Sequence, residues 1–239
     1  MRATRHRGLG GRATLVVVMV VALIALIATP ALALPAETEW TVSPESKIIT
    51  YGQGVTLNGT LMSDSVAVGG LWVDFAQATT ESGSFEVIYK VTTAASAYYS
   101  GTYAVAVMPQ QTMYYRFQWA GDAQYAAADS DVIPVQVKPS LGKPSCPSSI
   151  RKSKKFTVKG TVKPGQGISP AVKIKAYRKN SSGAYTAYKT YTSKVSGTQY
   201  KATIKISKRG KYKFKALTGG NAQFAANTSG FSRVLTVKK

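Results

Sequence analysis

Acidic side chains are missing from the whole carboxyl-terminal stretch. Residues 138–239 carry 24 lysines and arginines and no aspartate or glutamate. Paired-carboxylate acid/base chemistry and carboxylate calcium cages are excluded there. Histidine is nearly absent too. His6 is the only one, inside the first 33 residues, so the rest has no imidazole for a catalytic triad or a metal. Cys146 is the sole cysteine, which forbids an internal disulfide. No segment after residue 34 keeps a helical period, and no glycine-rich phosphate loop is present. These absences argue against an enzyme, a cofactor or a small-molecule substrate.

The first residues have the makeup of an export signal. Arg2, Arg5, Arg7 and Arg12 precede an apolar run from Leu15 to Ala28. Thr29-Pro30 breaks the run and Ala31-Leu32-Ala33 offers a small-residue cleavage site, so a signal peptide over 1–33, cut near Ala33, is expected. The alternative is an uncleaved anchor over Ala13 to Leu34, a length able to span a bilayer. The remaining chain has room for two modules of about 100 residues.

The chain repeats itself once. Tyr115-Arg116-Phe117 and Gly121-Asp122-Ala123-Gln124-Tyr125 return as Tyr212-Lys213-Phe214 and Gly220-Asn221-Ala222-Gln223-Phe224. Upstream, Gly59-Thr60 in the first copy matches Gly160-Thr161 in the second. A period this long, met twice, predicts two sequential domains. Strand-like runs alternate with Ser, Gly and Asn turns throughout, the pattern of an all-β sandwich. The predicted divisions are 1–33 (signal), 35–138 (acidic module), 139–150 (linker with Pro139, Pro144 and Pro147) and 151–239 (basic module). Cys146 falls in that linker and reads as an incidental thiol.

The order strand, Gly-Thr, strand, Ser-Gly turn, strand, Tyr-x-Phe and Gly-Asx-Ala-Gln-aromatic resembles the bacterial immunoglobulin-like repeats of secreted and surface proteins, especially actinobacterial ones. The resemblance covers about residues 40 to 239. It implies two tandem immunoglobulin-like Greek-key β-sandwiches and no common catalytic activity. It suggests adhesion modules, stalks and spacers. Gly59, Gly121, Asp122, Tyr125, Gly160, Gly220, Asn221 and Phe224 carry the motif. Phe224 lacks the hydroxyl of Tyr125, so packing is the expected role of that ring.

Charge divides as sharply as the repeat. Residues 35–137 hold three basic residues and ten acids, a net −7, against +24 for residues 138–239. The lysines alternate with apolar residues: Lys173 and Lys175 oppose Ile174, while Lys211, Lys213 and Lys215 oppose Tyr212 and Phe214. Side chains alternate faces along a strand, and the immunoglobulin-like resemblance implies that these two strands are the third and sixth, neighbours in one sheet. The five are therefore expected to share one outer surface, with Lys159, Lys201 and Lys205 on the opposite sheet. The face is a candidate site for an anionic cell-wall polymer, acidic polysaccharide or anionic membrane surface, with extracellular DNA as a non-specific ligand. Solubility and protection of strand edges would also favour lysine. The tyrosines Tyr98, Tyr99, Tyr103, Tyr114 and Tyr115 offer an alternative, carbohydrate recognition by exposed aromatics. Trp72 and Phe75, an odd number apart, point to opposite faces so that one is exposed. Trp119 shares the face of Phe117 and Tyr115 and is expected to pack. A pure spacer is the third reading. Asp122, Asp129 and Asp131 are expected to be solvated loop residues.

Overall fold

Short alternating runs satisfy their backbone groups by pairing with other strands. The computed structural model describes residues 34–44, 47–95, 101–168 and 171–239, and these contain strands and turns with no helix. The expected signal over 1–33 and Tyr98-Tyr99 lie outside the described residues.

The first half has β1 (Thr38–Ser43), β2 (Lys47–Thr50), β3 (Val55–Ser63), β4 (Val66–Ala67), β5 (Trp72–Ala78), β6 (Glu86–Thr92), β7 (Thr102–Val107), β8 (Met113–Trp119), β9 (Ala128–Asp129) and β10 (Ile133–Lys138). The second has β11 (Ser140–Leu141), β12 (Ser149–Arg151), β13 (Lys155–Lys163), β14 (Lys173–Lys179), β15 (Tyr185–Thr192), β16 (Lys194–Ser196), β17 (Gln199–Lys205), β18 (Gly210–Thr218), β19 (Asn227–Thr228) and β20 (Leu235–Lys238). One sheet of the first half runs β2-β10-β8-β5-β6 with β9 on β8. Its counterpart runs β12-β20-β18-β14-β15 with β19 on β18. The smaller sheets centre on β3, flanked by β1, β4 and β7, and on the series β11-β13-β17-β16. The fold is all-β with several sheets, consistent with a β-sandwich.

Each half buries its own apolar cluster. Leu57, Phe75, Phe117 and Val135 lie in the first and Val158, Ile174, Phe214 and Leu235 in the second, all fully buried. Phe156 and Ile204 are buried as the alternation predicts, and Val55 is half-buried against the first cluster. Trp40 stacks on Phe117 at 6.0 Å between ring centres and donates from Nε1 to the Ala128 carbonyl at 3.1 Å. Trp72 is exposed where Phe75 is buried, as their odd spacing requires.

The proline-containing stretch 139–150 does not behave as a linker throughout. Ser140-Leu141 pairs with β13 and Ser149–Arg151 pairs in parallel with β20. Cys146 sits in the second core, 4 % exposed, and burial pushes its thiol pKa up. Prolines end the pairing at intervals here without preventing it, because edge strands tolerate them. Pro139 alone separates β10 from β11.

The repeated glycines have a steric cause. Gly59 lies opposite Tyr103 and Gly160 opposite Tyr200 in the paired strands. A Cβ at either glycine would overlap the facing tyrosine hydroxyl. That clearance lets Tyr200 donate to the Gly142 carbonyl at 2.9 Å, and Tyr103 to the Thr41 carbonyl at 3.3 Å. Burial raises both phenol pKa values.

The Gly-Asx-Ala-Gln-aromatic motif is a side-chain-capped turn. Asp122 Oδ1 accepts from the Gln124 and Tyr125 amides at 2.7 and 2.8 Å. Asn221 Oδ1 does the same for Gln223 and Phe224 at 2.9 and 2.7 Å. Asn221 also donates from Nδ2 to the Gly167 carbonyl at 3.0 Å, a bond no carboxylate can make. The rings differ in role. Tyr125 is half-buried, whereas Phe224 is 4 % exposed and belongs to the apolar cluster of the first half. Phe224 therefore packs, as expected of that ring, but against the cluster of the first half and not that of its own half. Its loop is clamped to the preceding half by Ala225 N–H to the Val137 carbonyl at 2.8 Å and Thr112 N–H to the Gln223 carbonyl at 2.7 Å.

Candidate polyanion-binding faces

Two sheets of the second half turn lysines outward. On the first, β14 and β18 are neighbours, and Lys175 stands directly opposite Lys215. Lys173 and Lys211 are exposed, while Lys175, Lys213 and Lys215 are half-buried. The five lysines named from the sequence thus lie on adjacent strands of one sheet, with Ile174, Tyr212 and Phe214 buried beneath.

Aromatic rings explain why three of these lysines are half-buried. Lys215 Nζ lies 4.4 Å from the Phe231 ring centre and Lys213 Nζ 4.7 Å from that of Tyr185. Lys175 Nζ is 5.6 Å from Tyr177, whose ring meets Phe231 edge-on at 5.1 Å. Ammonium groups are attracted to ring faces, and their alkyl stems cover apolar surface. Strand alternation could have revealed Tyr177, which shares the outward parity of Lys173 and Lys175. Phe231 sits in the connection before β20 and had no periodicity to mark it.

The opposite sheet carries more charge than the sequence reading assigned to it. Lys159 faces Lys201, which in turn faces Lys194, and Lys155 faces Lys205. All five are exposed. Like charges directly across a strand pair are destabilising, and nothing acidic is available nearby in sequence to separate them. Both ion pairs among the described residues belong to the first half: Lys90–Asp74 at 3.3 Å and Arg116–Asp129 at 3.0 Å.

The three first-half aspartates singled out from the sequence do separate jobs. Asp122 caps its own turn, Asp129 pairs with Arg116, and the Asp131 carbonyl accepts from the Ser130 hydroxyl at 2.9 Å. Among the described residues no three His, Cys, Asp or Glu side chains come together as metal ligands. Of the proposed sugar-stacking aromatics, Tyr103 and Tyr115 are buried and Tyr114 is half-buried. Trp72 and Tyr89 are the exposed rings on that side, 65 % and 56 % accessible.

No protein-family model matches the chain, and no curated protein does.

Proposed function

We propose that this is an exported, non-catalytic protein of two tandem immunoglobulin-like Greek-key sandwiches, held by its basic half to an anionic polymer at the cell surface. The supporting observation is the uncompensated cross-strand lysine pairing: Lys159 with Lys201, Lys155 with Lys205 and Lys175 with Lys215. Each pair costs stability in the free protein. A polymer of phosphates or carboxylates laid over either face removes that cost. Cell-wall polymer, acidic polysaccharide and anionic membrane surfaces all fit this chemistry. A spacer role for the acidic half is compatible with it.

The test uses residues 34–239 and purified wall polymer at increasing salt. Binding should weaken steeply as the Debye length falls from about 10 Å at 0.1 M to about 3 Å at 1 M. Reversing Lys173, Lys175, Lys211, Lys213 and Lys215 to Glu should weaken it more than reversing Lys159, Lys201 and Lys205. Equal losses per charge would make the attraction diffuse. The single variant Lys201→Glu separates stability from binding. It places a carboxylate between Lys159 and Lys194, so the free protein should gain about 0.2–1 kcal/mol while polymer affinity falls. No binding of any polyanion at low salt would leave the pure spacer reading. Carbohydrate recognition through Trp72 and Tyr89 is the second reading, favoured by their exposure. It predicts sugar binding that survives high salt.

A further inference from the structure

The two lysine faces differ in one respect that charge does not explain. The β13–β17 face carries lysines and threonines. The β14–β18 face carries aromatic rings among its lysines: Tyr177, Tyr185 and Phe231. Phe231 is there because the second half has a longer connection. Six residues, Ser229–Val234, join β19 to β20, where three, Ser130–Val132, join β9 to β10. The ends of this longer connection are tied inward. Ser229 and Ser232 hydroxyls accept from the Ala216 and Phe214 amides at 2.9 and 3.0 Å. Of the two residues between them, Gly230 and Phe231, the phenylalanine is thereby turned outward onto the lysines, 37 % exposed.

We propose that the β14–β18 face binds single-stranded nucleic acid, with bases stacking on Phe231 and its neighbouring tyrosines and phosphates held by Lys175, Lys213 and Lys215. This rests on the polyanion reading above and narrows it. A positively charged surface with aromatic platforms is the general design for single-strand binding without sequence preference, because every base has a π face. Lysines two residues apart on one strand are about 6.6 Å apart, so the charges form a row along the ring platform. Sugar recognition fits less well: the second half has no carboxylate side chain to accept hydrogen bonds from ring hydroxyls. Membrane insertion also fits less well, since Phe231 lies against Tyr177 and beneath Lys215 and does not project as a wedge.

The experiment compares a labelled thymidine oligomer with an abasic oligomer of equal length and charge, using fluorescence anisotropy on residues 34–239. The thymidine oligomer should bind about five- to hundred-fold more tightly, the size of one stacked base. Phe231→Leu keeps the apolar volume and removes one of the three π faces, so it should reduce the preference and leave abasic binding unchanged. Replacing Lys159, Lys201 and Lys205 by Gln should weaken both oligomers and preserve the preference. Equal affinity for the two oligomers, or a preference undiminished by Phe231→Leu, overturns the proposal while leaving polyanion binding intact. An acidic polysaccharide that displaces the thymidine oligomer at equal charge reassigns the platform to sugar rings. Failure of every polyanion to bind at low salt removes this proposal and the polymer-binding function together.

Discussion

Phe224→Ala should lower the stability of the first half, although the residue belongs to the second. The ring is buried in the first half's apolar cluster, and truncating a buried phenylalanine costs about 3–5 kcal/mol. The readout is built into the chain: Trp40, Trp72 and Trp119 all lie in the first half, so tryptophan emission follows its unfolding. The urea midpoint seen by tryptophan should drop in Phe224→Ala. Tyr125→Ala, at a half-buried ring, should move it less. An unchanged midpoint in Phe224→Ala would mean that the ring adds nothing to the first half's stability. Scattering should also detect the loosened junction as an increase in maximum dimension.

A second large effect is expected from Gly160→Val. The added methyl groups would occupy the space of the Tyr200 ring and force it off the Gly142 carbonyl. Overpacking typically costs about 1–3 kcal/mol, and the lost hydrogen bond adds about 0.5–1.5 kcal/mol. Circular dichroism on thermal unfolding measures the sum. Gly220→Ala is the matched control, because a Cβ there meets nothing nearer than 3.4 Å. Comparable losses from both substitutions would show that the close approach to Tyr200 is not the reason for glycine.

Strand phasing was readable from the sequence because one buried face imposes a period of two, and a one-residue error would have turned Phe214 outward and Lys213 inward. The five-lysine face followed from the same rule together with the strand neighbours that the immunoglobulin-like resemblance implies. The partners across strands did not, since register depends on distant segments. Hence Lys155 and Lys194 were missed on the second face, and Tyr103 and Tyr200 were missed as the reason for Gly59 and Gly160. The repeat also concealed differences between its copies. Gly121 adopts φ +82°, a conformation that favours glycine, whereas Gly220 is not among the positive-φ glycines. Phe224 looked like a diminished Tyr125, yet it is the more buried of the two because a preceding half covers it. Nothing local to residues 220–226 encodes that cover. The prolines of 139–150 suggested a linker for the same reason: pairing to β13 and β20 is a non-local fact.

The parallel pairs β2–β10 and β12–β20 bear on how the chain would carry mechanical load. Residues 47–50 run alongside 135–138, and 149–151 alongside 236–238, each in the same direction. In each half these are strands near the beginning and end of the sequence. Tension applied between the two ends would pull such a pair along its length, loading its hydrogen bonds together and not one after another. Between β10 and β12 the chain is itself bonded, Ser140-Leu141 to β13 and Ser145 to Lys159, so little slack is available before the force reaches the second pair. Single-molecule pulling from residues 34 and 239 should therefore give two separated rupture peaks; a long, low-force extension before the first peak would contradict this. Were the basic half held on a polymer as proposed, the fold would act as a taut strap.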